Sequence, residues 1–313
     1  MNILISGGAG FIGKNLVRKL LKNSDNLLTI VDNFCTSEWA DFEELSKKIN
    51  LYNMDVADMI FAPLEIDLDV VVHLASPASP ADYVRLPIET LVAGSVGTLR
   101  MLEVARAQNA HFVLASTSEV YGDPTEHPQL ENYFGNVDSV GERSQYDEAK
   151  RFAEALTVNY QKTYGISAII LRIFNTYGPG LRLNDGRAIP NFITQALRGE
   201  PLTIYGTGEQ TRSFCYIDDM VKALMAAIEY NGYTIGPINV GNPEEVSVLE
   251  LAEKIKWLTQ GKSEIVFREA PPLDPQRRCP DISKARKFLK WQPKISLEEG
   301  LQKTIEWFKR KMK

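Results

Sequence analysis

The sequence is poor in cysteine and histidine, with three of each among its 313 residues. The cysteines, Cys35, Cys215 and Cys279, lie too far apart along the chain for the closely spaced pairs of a zinc site or for a disulfide framework. We therefore expect three reduced thiols, and we predict no metal site.

Long hydrophobic runs and a positive net charge are also missing. No stretch approaches the roughly 18 apolar residues of a membrane-spanning helix, and no signal peptide or anchor is recognisable, so we expect a cytoplasmic protein. The 35 lysine and arginine residues face 40 aspartate and glutamate residues, which gives a net charge of −5. This balance argues against nucleic acid or an acidic membrane as the main partner. Hydrophobic residues make up 44% of the chain, enough for one large domain or two modest ones.

A glycine-rich loop between a strand pattern and a helix pattern opens the chain. Residues 2–6 form a short apolar run, and residues 14–21 carry apolar side chains at helical spacing. Between them, Gly7 allows a sharp turn, Gly10 lets a pyrophosphate approach the backbone, and Gly13 lets the helix pack close to the strand. The N-terminus of the helix offers free N–H groups to an anion. The pattern predicts a dinucleotide site; the alternative is a tight turn that binds nothing.

An acidic residue stands where such a site requires one. The predicted second strand, residues 27–31, ends in Asp32, which follows Gly13 by 19 residues. A carboxylate at this distance binds the adenosine ribose hydroxyls, and it repels the 2′-phosphate of NADP. Asn33 adds no positive charge beside it. The sequence therefore predicts NAD as the cofactor.

Strand and helix patterns alternate through the first half of the chain, which predicts an α/β fold with a doubly wound parallel Rossmann sheet. We place an NAD-binding domain at 1–175, with the sheet recruiting segments near 205–240, and a smaller substrate-binding domain at 176–313. Further strands are expected at 51–54, 69–75, 110–116, 166–173 and 202–206, and helices at 90–108, 146–164, 190–198, 248–258 and 297–311.

Small and polar residues follow the predicted strands, at the edge where parallel sheets bind ligands. Ser116, Thr117, Ser118 and Glu119 form a polar cluster where chemistry is expected, although a helix cap is the alternative. His73 lies inside a strand and is interpreted as a hydrogen-bonded core residue, while Asp55 either contacts adenine or caps a loop. The remaining predicted cofactor-binding residues are Phe11, Ile12, Val56, Leu74, Ala75 and Ser76.

Tyr146 and Lys150 are four residues apart, so they share one face of a predicted helix. An ammonium group near a phenol favours the phenolate, and we therefore expect Lys150 to lower the pKa of Tyr146. Tyr146 then becomes a candidate general base, and both residues are expected at the cofactor.

These motifs resemble the extended short-chain dehydrogenase/reductase family, in particular its members that act on nucleotide sugars. Within that family the chain is similar to the UDP-glucuronic acid decarboxylases over nearly its whole length. The stretches that carry this narrower resemblance are residues 73–80, 115–124, 146–151, 172–179, 184–187, 210–214 and 274–278.

The resemblance implies a UDP-sugar substrate, a recycled NAD and a role for each polar residue. Tyr146 removes the proton of the sugar C4 hydroxyl while Lys150 holds the phenolate and the nicotinamide ribose. Thr117 hydrogen-bonds near the C4 oxygen, and Glu119 orients the sugar or a proton-donating water. It also implies a homodimer, in which the helices at 90–108 and 146–164 pair with their copies. Asn175, Arg212 and Arg278 are expected at the diphosphate, and Arg187 and Tyr205 near the uracil.

Three departures from the family pattern bear on the reaction. Gly94 stands where an asparagine is usual, and Gly180 stands where decarboxylases often have arginine, with Arg182 two residues on. Ser118 replaces the aspartate typical of 4,6-dehydratases, which disfavours dehydration. Decarboxylation of UDP-glucuronate is the preferred hypothesis. A 4-epimerase is the main alternative, and a non-catalytic NAD-binding protein is the least favoured.

Overall fold

The computed structural model describes residues 1–59, 67–232, 236–269 and 276–313. Within these ranges the strands are β1 Asn2–Ser6, β2 Leu27–Asp32, β3 Asn50–Asn53, β4 Val70–His73, β5 His111–Thr117, β6 Ala168–Ile173, β7 Thr176–Tyr177, β8 Leu202–Tyr205, β9 Thr211–Ser213, β10 Cys215–Tyr216, β11 Pro237–Val240, β12 Glu245–Ser247, β13 Ile265–Arg268 and β14 Arg277–Arg278.

The helices of the same ranges are α1 Phe11–Leu20, α2 Trp39–Ser46, α3 Pro80–Arg85, α4 Pro87–Val92, α5 Thr98–Gln108, α6 Ser144–Tyr164, α7 Ala188–Arg198, α8 Ile217–Ile228, α9 Val248–Thr259 and α10 Leu297–Lys311. None of these helices is long and apolar enough to cross a membrane. Short 3₁₀ turns occur at Val56–Asp58 and Ser118–Tyr121, and π-helical segments at Ala93–Gly97 and Ala285–Leu289.

A seven-stranded parallel sheet forms the centre of the fold, in the order β11-β6-β5-β4-β1-β2-β3. The chain runs outward from β1 through β2 to β3, then crosses over to β4 on the other side of β1. This reversal creates the crevice in which doubly wound sheets bind their ligands. The predicted fold class is confirmed. The division of the chain at residue 175 stays a prediction.

Helices cover both faces of the sheet, because the buried strand residues alternate between two hydrophobic clusters. Ile3 and Ile5 of β1 point into one cluster, and Leu4 points into the other. The first cluster includes residues of α1 and α8, and the second includes residues of α5 and α6. The sheet is therefore buried on both sides, and its ligand crevice lies at the ends of the strands.

The predicted helix at 90–108 is interrupted, because α4 passes into a π-helical segment before α5 begins. Gly94 lies in that segment, directly against Ala149 of α6. A Cβ at position 94 would stand 2.6 Å from the Ala149 Cβ, closer than side chains pack. Glycine at this position thus lets the α4–α5 segment approach α6 beside Tyr146 and Lys150.

Three small sheets join the C-terminal segments to the main sheet. In these sheets β10 pairs with β7, β13 pairs with β8, and β9 lies between β12 and β14. The register of β14 against β9 places Arg278 beside Arg212. α7 packs against α9, and α9 against α10. These elements face the carboxyl ends of β4, β5 and β6 across a cleft.

Candidate active site

The cleft has a volume of about 580 Å³ and brings together segments that lie far apart in the sequence. Its walls are the glycine loop, the ends of β4 and β5, the start of α6, the stretch around residues 173–192, and single residues of the C-terminal part. All four predicted catalytic residues and all of the predicted substrate-binding residues line it. These residues are Thr117, Glu119, Tyr146, Lys150, Asn175, Arg187, Tyr205, Arg212 and Arg278.

The glycine loop has the shape that a pyrophosphate needs. Gly7 has φ +76°, and a Cβ there would lie 2.6 Å from the Ala75 nitrogen. A Cβ at Gly13 would lie 2.2 Å from the Gly7 carbonyl oxygen, so any side chain would push α1 away from the loop. A Cβ at Gly10 would meet only that same oxygen, at 3.4 Å, and its remaining surroundings are open. The loop therefore leaves a cradle at the N-terminus of α1 that a dinucleotide fits.

Asp32 closes the adenosine end of this cradle. Its two carboxylate oxygens accept hydrogen bonds from the N–H groups of Ala9, at 2.9 Å, and Phe34, at 2.8 Å. Burial raises the pKa of Asp32, and these two backbone bonds oppose the rise. The bonds fix the carboxylate at the end of β2, where a ribose would lie.

Asp55 caps the turn that follows β3. One of its carboxylate oxygens accepts from the Ala57 N–H at 2.8 Å, and the other accepts from the Asn33 side chain, also at 2.8 Å. Of the two interpretations offered for Asp55, the loop cap is therefore the one that the geometry shows. His73 is the core residue predicted: its ring nitrogens lie 2.6 Å from Ser6 Oγ and 3.1 Å from Thr98 Oγ1, and burial lowers its pKa to about 3.

Tyr146 and Lys150 project from α6 toward the end of β5. The Tyr146 hydroxyl hydrogen-bonds with Thr117, which lowers its pKa, but burial dominates and raises it above the ordinary value. Lys150 donates to the Ala115 carbonyl at 2.9 Å, and its Nζ lies 5.8 Å from the centroid of the Tyr146 ring. The pKa of Tyr146 is raised and not lowered as predicted, because desolvation of the phenol is the largest influence on it, while the Lys150 ammonium is held at a strand carbonyl. Burial lowers the pKa of Lys150 itself to about 8.

Tyr83 of α3 was missed by the sequence analysis and covers the other face of Tyr146. The two rings are stacked, with centroids 5.3 Å apart and planes inclined by 9°. Ser79 caps α3 by accepting from the Asp82 N–H, which fixes the helix directly after the Ser-Pro-Ala-Ser-Pro segment. That segment is the sequence feature from which Tyr83 could have been found, because it leads from the end of a strand into the cleft.

Glu119 lies between two arginines, and this charge cluster is the most distinctive feature of the cleft. Its carboxylate forms ion pairs with Arg278 and with Arg143, a residue that the sequence analysis did not select. Burial opposes ionisation of Glu119, but the Arg278 and Arg143 guanidinium groups outweigh it and lower the pKa to about 2. The carboxylate is therefore ionised at neutral pH.

Arg278 is 2% exposed and directs its donors into this cluster. It donates to Glu119, to the Gly122 carbonyl at 2.7 Å and to Ser118 Oγ at 3.3 Å. Its Nε is buried without a hydrogen-bond partner among the described residues. That Arg278 binds a diphosphate stays a prediction, although most of its donors are already engaged at the end of β5.

The cleft is also lined by the other predicted substrate-binding residues, Asn175, Arg187, Tyr205 and Arg212. Arg187 makes a two-point contact with Asp185, in which Nη2 and Oδ2 lie 2.8 Å apart. Arg212 donates to the Thr211 carbonyl at 2.9 Å, and Tyr205 stands half exposed at the rim. Their positions around one cleft agree with a nucleotide-sugar site, and their individual ligand contacts stay predictions.

Arg182 adds a further positive charge to the lining of the cleft. It pairs with Asp82, whose other carboxylate oxygen lies 3.3 Å from Arg85. Gly180, which stands at the place of a family arginine, has φ +100°, a backbone conformation that favours glycine. The arginine missing at position 180 thus has a counterpart two residues on that reaches the cleft.

The reversal of strand order at the crevice, the glycine cradle and the Tyr146–Lys150 pair beside the polar end of β5 define an enzyme of the extended short-chain dehydrogenase/reductase class. A sequence profile described as GDP-mannose 4,6 dehydratase matches residues 4–304, and the chain belongs to this family.

Similar proteins carry a narrower set of names. The chain is 48% identical over 311 residues to UDP-glucuronic acid decarboxylase 6 of Arabidopsis thaliana, covering 99% of this chain and 89% of that protein. It is 47% identical over 312 residues to UDP-glucuronic acid decarboxylase 1 of Xenopus tropicalis, covering 99% of this chain and 72% of that protein.

Among solved structures, the UDP-glucuronic acid 4-epimerase of Bacillus cereus in complex with UDP-glucuronic acid and NAD is 31% identical, with a TM-score of 0.89 and 99% of each chain covered. The UDP-glucose 4-epimerase of Thermotoga maritima with UDP-glucose is 30% identical, with a TM-score of 0.90 and 100% of each chain covered.

Proposed function

We propose that the protein converts UDP-glucuronate to UDP-xylose and CO₂, with a tightly bound NAD that is recycled. The observation that carries this proposal is the Glu119–Arg143–Arg278 cluster beside Tyr146. Two guanidinium groups face one carboxylate there, so the cluster keeps a net positive charge beside Tyr146, where a substrate carboxylate needs one. Relatives at 47% and 48% identity bear the decarboxylase name, whereas the structurally similar epimerases are 30% and 31% identical.

The cradle at Gly7, Gly10 and Gly13 holds the pyrophosphate, and Asp32 holds the adenosine ribose. When bound, NAD accepts a hydride from C4 of the sugar and later returns it, so that it is not consumed. The chain's own residues place the sugar, move its protons and control its charge. Lys150, anchored on the Ala115 carbonyl, is positioned for the nicotinamide ribose.

Tyr146 removes the proton of the C4 hydroxyl when C4 is oxidised. Its hydroxyl already hydrogen-bonds with Thr117, which we place next to the C4 oxygen. Because burial raises the pKa of Tyr146, the phenolate requires nearby positive charge, and the Lys150 ammonium supplies part of it. Tyr83, stacked on the ring, keeps water from that face and holds the ring in place.

Oxidation at C4 turns the sugar into a β-keto acid. The bond between C5 and the carboxylate then breaks, CO₂ leaves, and the electron pair passes into the enolate of the 4-keto sugar. The negative charge of the enolate lies on the C4 oxygen, where Tyr146 and Thr117 stabilise it by hydrogen bonds, and Arg143 orients the carboxylate that departs. Glu119 is ionised and cannot supply the proton for C5 itself, so we assign it to hold the water that does. Reduction at C4, with return of the proton from Tyr146, completes UDP-xylose.

Two related outcomes use the same opening step. A 4-epimerase requires the keto sugar to rotate before reduction, and the 0.89 TM-score to a UDP-glucuronic acid 4-epimerase keeps it as the alternative. A 4,6-dehydratase requires an acid beside Glu119. Ser118 stands there, buried and in contact with Arg278, which disfavours dehydration.

We expect UDP-glucuronate incubated with the enzyme and NAD to give one UDP-pentose and one CO₂ per substrate consumed. Mass spectrometry separates the possibilities, because decarboxylation lowers the mass of the nucleotide sugar and epimerisation leaves it unchanged. UDP-glucose, which lacks the C6 carboxylate, is the matched control and should give no CO₂. A product of unchanged mass identified as UDP-galacturonate contradicts the decarboxylase and supports the epimerase.

Asp32 should set the choice of cofactor. We expect NADP to bind much more weakly than NAD, because its 2′-phosphate meets the Asp32 carboxylate at the end of β2. The Asp32→Ala variant should reduce the difference between the affinities for NAD and NADP, chiefly by weakening the binding of NAD. Fluorescence titration with NADH and NADPH measures both constants. Equal affinity of the wild-type protein for the two would refute the assignment.

We also propose a homodimer, in which α6 and the helical segment at 90–108 pair with their copies and the adjoining α3 and α4 extend the interface. This surface exposes large apolar side chains: Val84, Ile88 and Phe152 are 62%, 65% and 50% exposed. Burial of such side chains favours association by about 25 cal/mol per Å².

A cytoplasmic location also stays a proposal.

Sedimentation velocity at micromolar concentration should show a dimer, and the Ile88→Glu and Phe152→Glu variants should be monomers. The matched control is Trp257→Glu, because Trp257 of α9 is 68% exposed and lies outside this surface. That variant should remain dimeric. If the wild-type protein is a monomer, the proposed dimer does not form. If only Trp257→Glu disrupts the dimer, the interface lies at α9 and not at this surface.

A further inference from the structure

A second cluster of reactive side chains lies outside the cleft, on the small sheet of β12, β9 and β14. It consists of His127, Glu245 and Cys279. One ligand atom from each residue lies within 4.8 Å of the other two. The three residues come from the loop before α6, from the start of β12 and from the position directly after β14. The proposed reaction does not use any of them.

The carboxylate and imidazole of this cluster are already oriented toward each other. Glu245 Oε2 lies 2.9 Å from His127 Nε2, and Glu245 Oε1 accepts from Thr211 Oγ1 at 2.6 Å. The threonine contact holds one oxygen of the Glu245 carboxylate in place, so that the other oxygen faces the histidine. Such an outer contact is what orients carboxylate ligands in metal sites.

The segment that carries the thiol is also fixed, and Cys279 Sγ itself donates to the Pro243 carbonyl at 3.3 Å, a bond that it would give up on binding an ion. Cys279 is 5% exposed, its N–H donates to Gln129 Oε1 at 2.8 Å, and its carbonyl accepts from the Gln129 N–H at 2.8 Å. These bonds tie the segment after β14 to the loop that carries His127. The His127 side chain remains 25% exposed, which leaves a path for an ion.

We propose that His127, Glu245 and Cys279 bind a divalent transition-metal ion of the zinc class. Imidazole nitrogen, carboxylate oxygen and thiolate sulfur are the ligands that Zn²⁺ takes, with bonds of roughly 2.0–2.3 Å. In tetrahedral coordination two such ligand atoms lie roughly 3.4–3.6 Å apart, so the ligand atoms of the cluster must close by up to about 1 Å when the ion binds. The observed spacing requires only small side-chain movements, and the open side of the site leaves the fourth position to water.

Each of the three ligands binds the ion in a defined protonation state. The Cys279 thiol releases its proton to solvent and binds as thiolate, Glu245 binds as carboxylate, and neutral His127 gives the lone pair of Nε2. Arg277, which lies 3.9 Å from Glu245 Oε2 and is exposed, turns toward solvent as the ion takes its place. Sequence spacing gave no sign of this site, because its ligands are separated by more than 30 residues at each step.

The ion would join the two halves of the chain next to the active site. Cys279 follows Arg278, whose guanidinium holds Glu119. Coordination at Cys279 would therefore fix the backbone from which Arg278 reaches the cleft. The inference does not depend on the identity of the reaction.

Cobalt titration of the untagged, full-length protein tests the site. We expect one Co²⁺ per chain, a thiolate-to-cobalt charge-transfer band in the near-ultraviolet, and displacement of both by Zn²⁺. Cys279→Ser should abolish the band, and His127→Gln and Glu245→Gln should weaken binding by roughly tenfold or more, since even outer-shell partners are worth 10–100-fold. The matched controls, Cys35→Ser and Cys215→Ser, should keep the band.

Thermal unfolding provides a second readout for variants that fold poorly. Zn²⁺ at micromolar concentration should raise the melting temperature of the wild-type protein relative to EDTA, because the ion binds only the folded state. His127→Gln alters an exposed side chain, folds, and should lose this rise. The site is disproved if the band survives Cys279→Ser, or if neither ion binds or stabilises the wild-type protein.

Discussion

Replacing Tyr146 with phenylalanine is expected to lower the turnover of UDP-glucuronate by roughly 10²–10⁴-fold, the usual worth of a general acid–base. The substitution keeps the ring stacked on Tyr83 and removes the one hydroxyl that Thr117 contacts. The glycine cradle and Asp32 are untouched, so NAD should bind as before. The loss should appear in kcat rather than in the affinity for cofactor.

Tyr160→Phe is the matched control, because Tyr160 lies on the same helix and donates its hydroxyl to Glu103, away from the cleft. It should retain near wild-type turnover. Single-turnover measurement of CO₂ release, with NAD titration for each variant, separates chemistry from binding. Full activity of Tyr146→Phe would show that another group removes the C4 proton.

Glu119→Gln should have two effects at once. The variant leaves Arg278 buried without its carboxylate, which costs about 3 kcal/mol of stability, the low end for a broken buried pair because glutamine still accepts a hydrogen bond. The C4 oxidation, which relies on Tyr146, should continue in part. Protonation at C5 and reduction should slow, so that enzyme-bound NADH or a 4-keto sugar accumulates.

The absorbance of NADH and the mass of the trapped sugar report this accumulation, and denaturant unfolding reports the stability. Glu154→Gln is the control: Glu154 is buried and pairs with Arg172, with Oε2 and Nη2 2.7 Å apart. It should lose comparable stability without accumulating a 4-keto sugar. If both variants behave alike, the role of Glu119 is structural only.

Four of the predicted site residues could be placed from the sequence because each lies at the end of a parallel strand or on a helix of clear period. Asp32 and Thr117 end their strands, and strands of one parallel sheet end at a common edge. Tyr146 and Lys150 are separated by one helical turn. The cleft could be assembled from these four residues because local periodicity determines the direction of each.

The loop residues could not be found in the same way. Arg143 meets Glu119 after a 24-residue excursion whose path depends on tertiary contacts, such as those of Arg151 with the Val120 and Phe134 carbonyls. Nothing in the local pattern of such a loop points to a particular strand end. Tyr83 was missed for a related reason, because its position depends on packing between segments.

The pKa of Tyr146 was predicted in the wrong direction for a physical reason. Sequence spacing shows that Lys150 is near, but it does not show how far the phenol is desolvated. Desolvation favours the neutral phenol and dominates here, while the ammonium is held at the Ala115 carbonyl. The interruption of the predicted helix at 90–108 was not predicted either, and Gly94 in its π-helical segment lies against Ala149 of α6, a tertiary contact that local spacing does not show.

The partners of Glu119 also determine when the enzyme can become competent during its synthesis. One of them, Arg278, follows Glu119 by 159 residues and lies near the end of the chain. Domains fold from the N-terminus as they emerge from the ribosome, and contacts of long sequence separation form late. The nascent chain can therefore complete its cofactor cradle well before its charge cluster. Until the segment that carries Arg278 has docked, Glu119 lacks one of its two arginine partners.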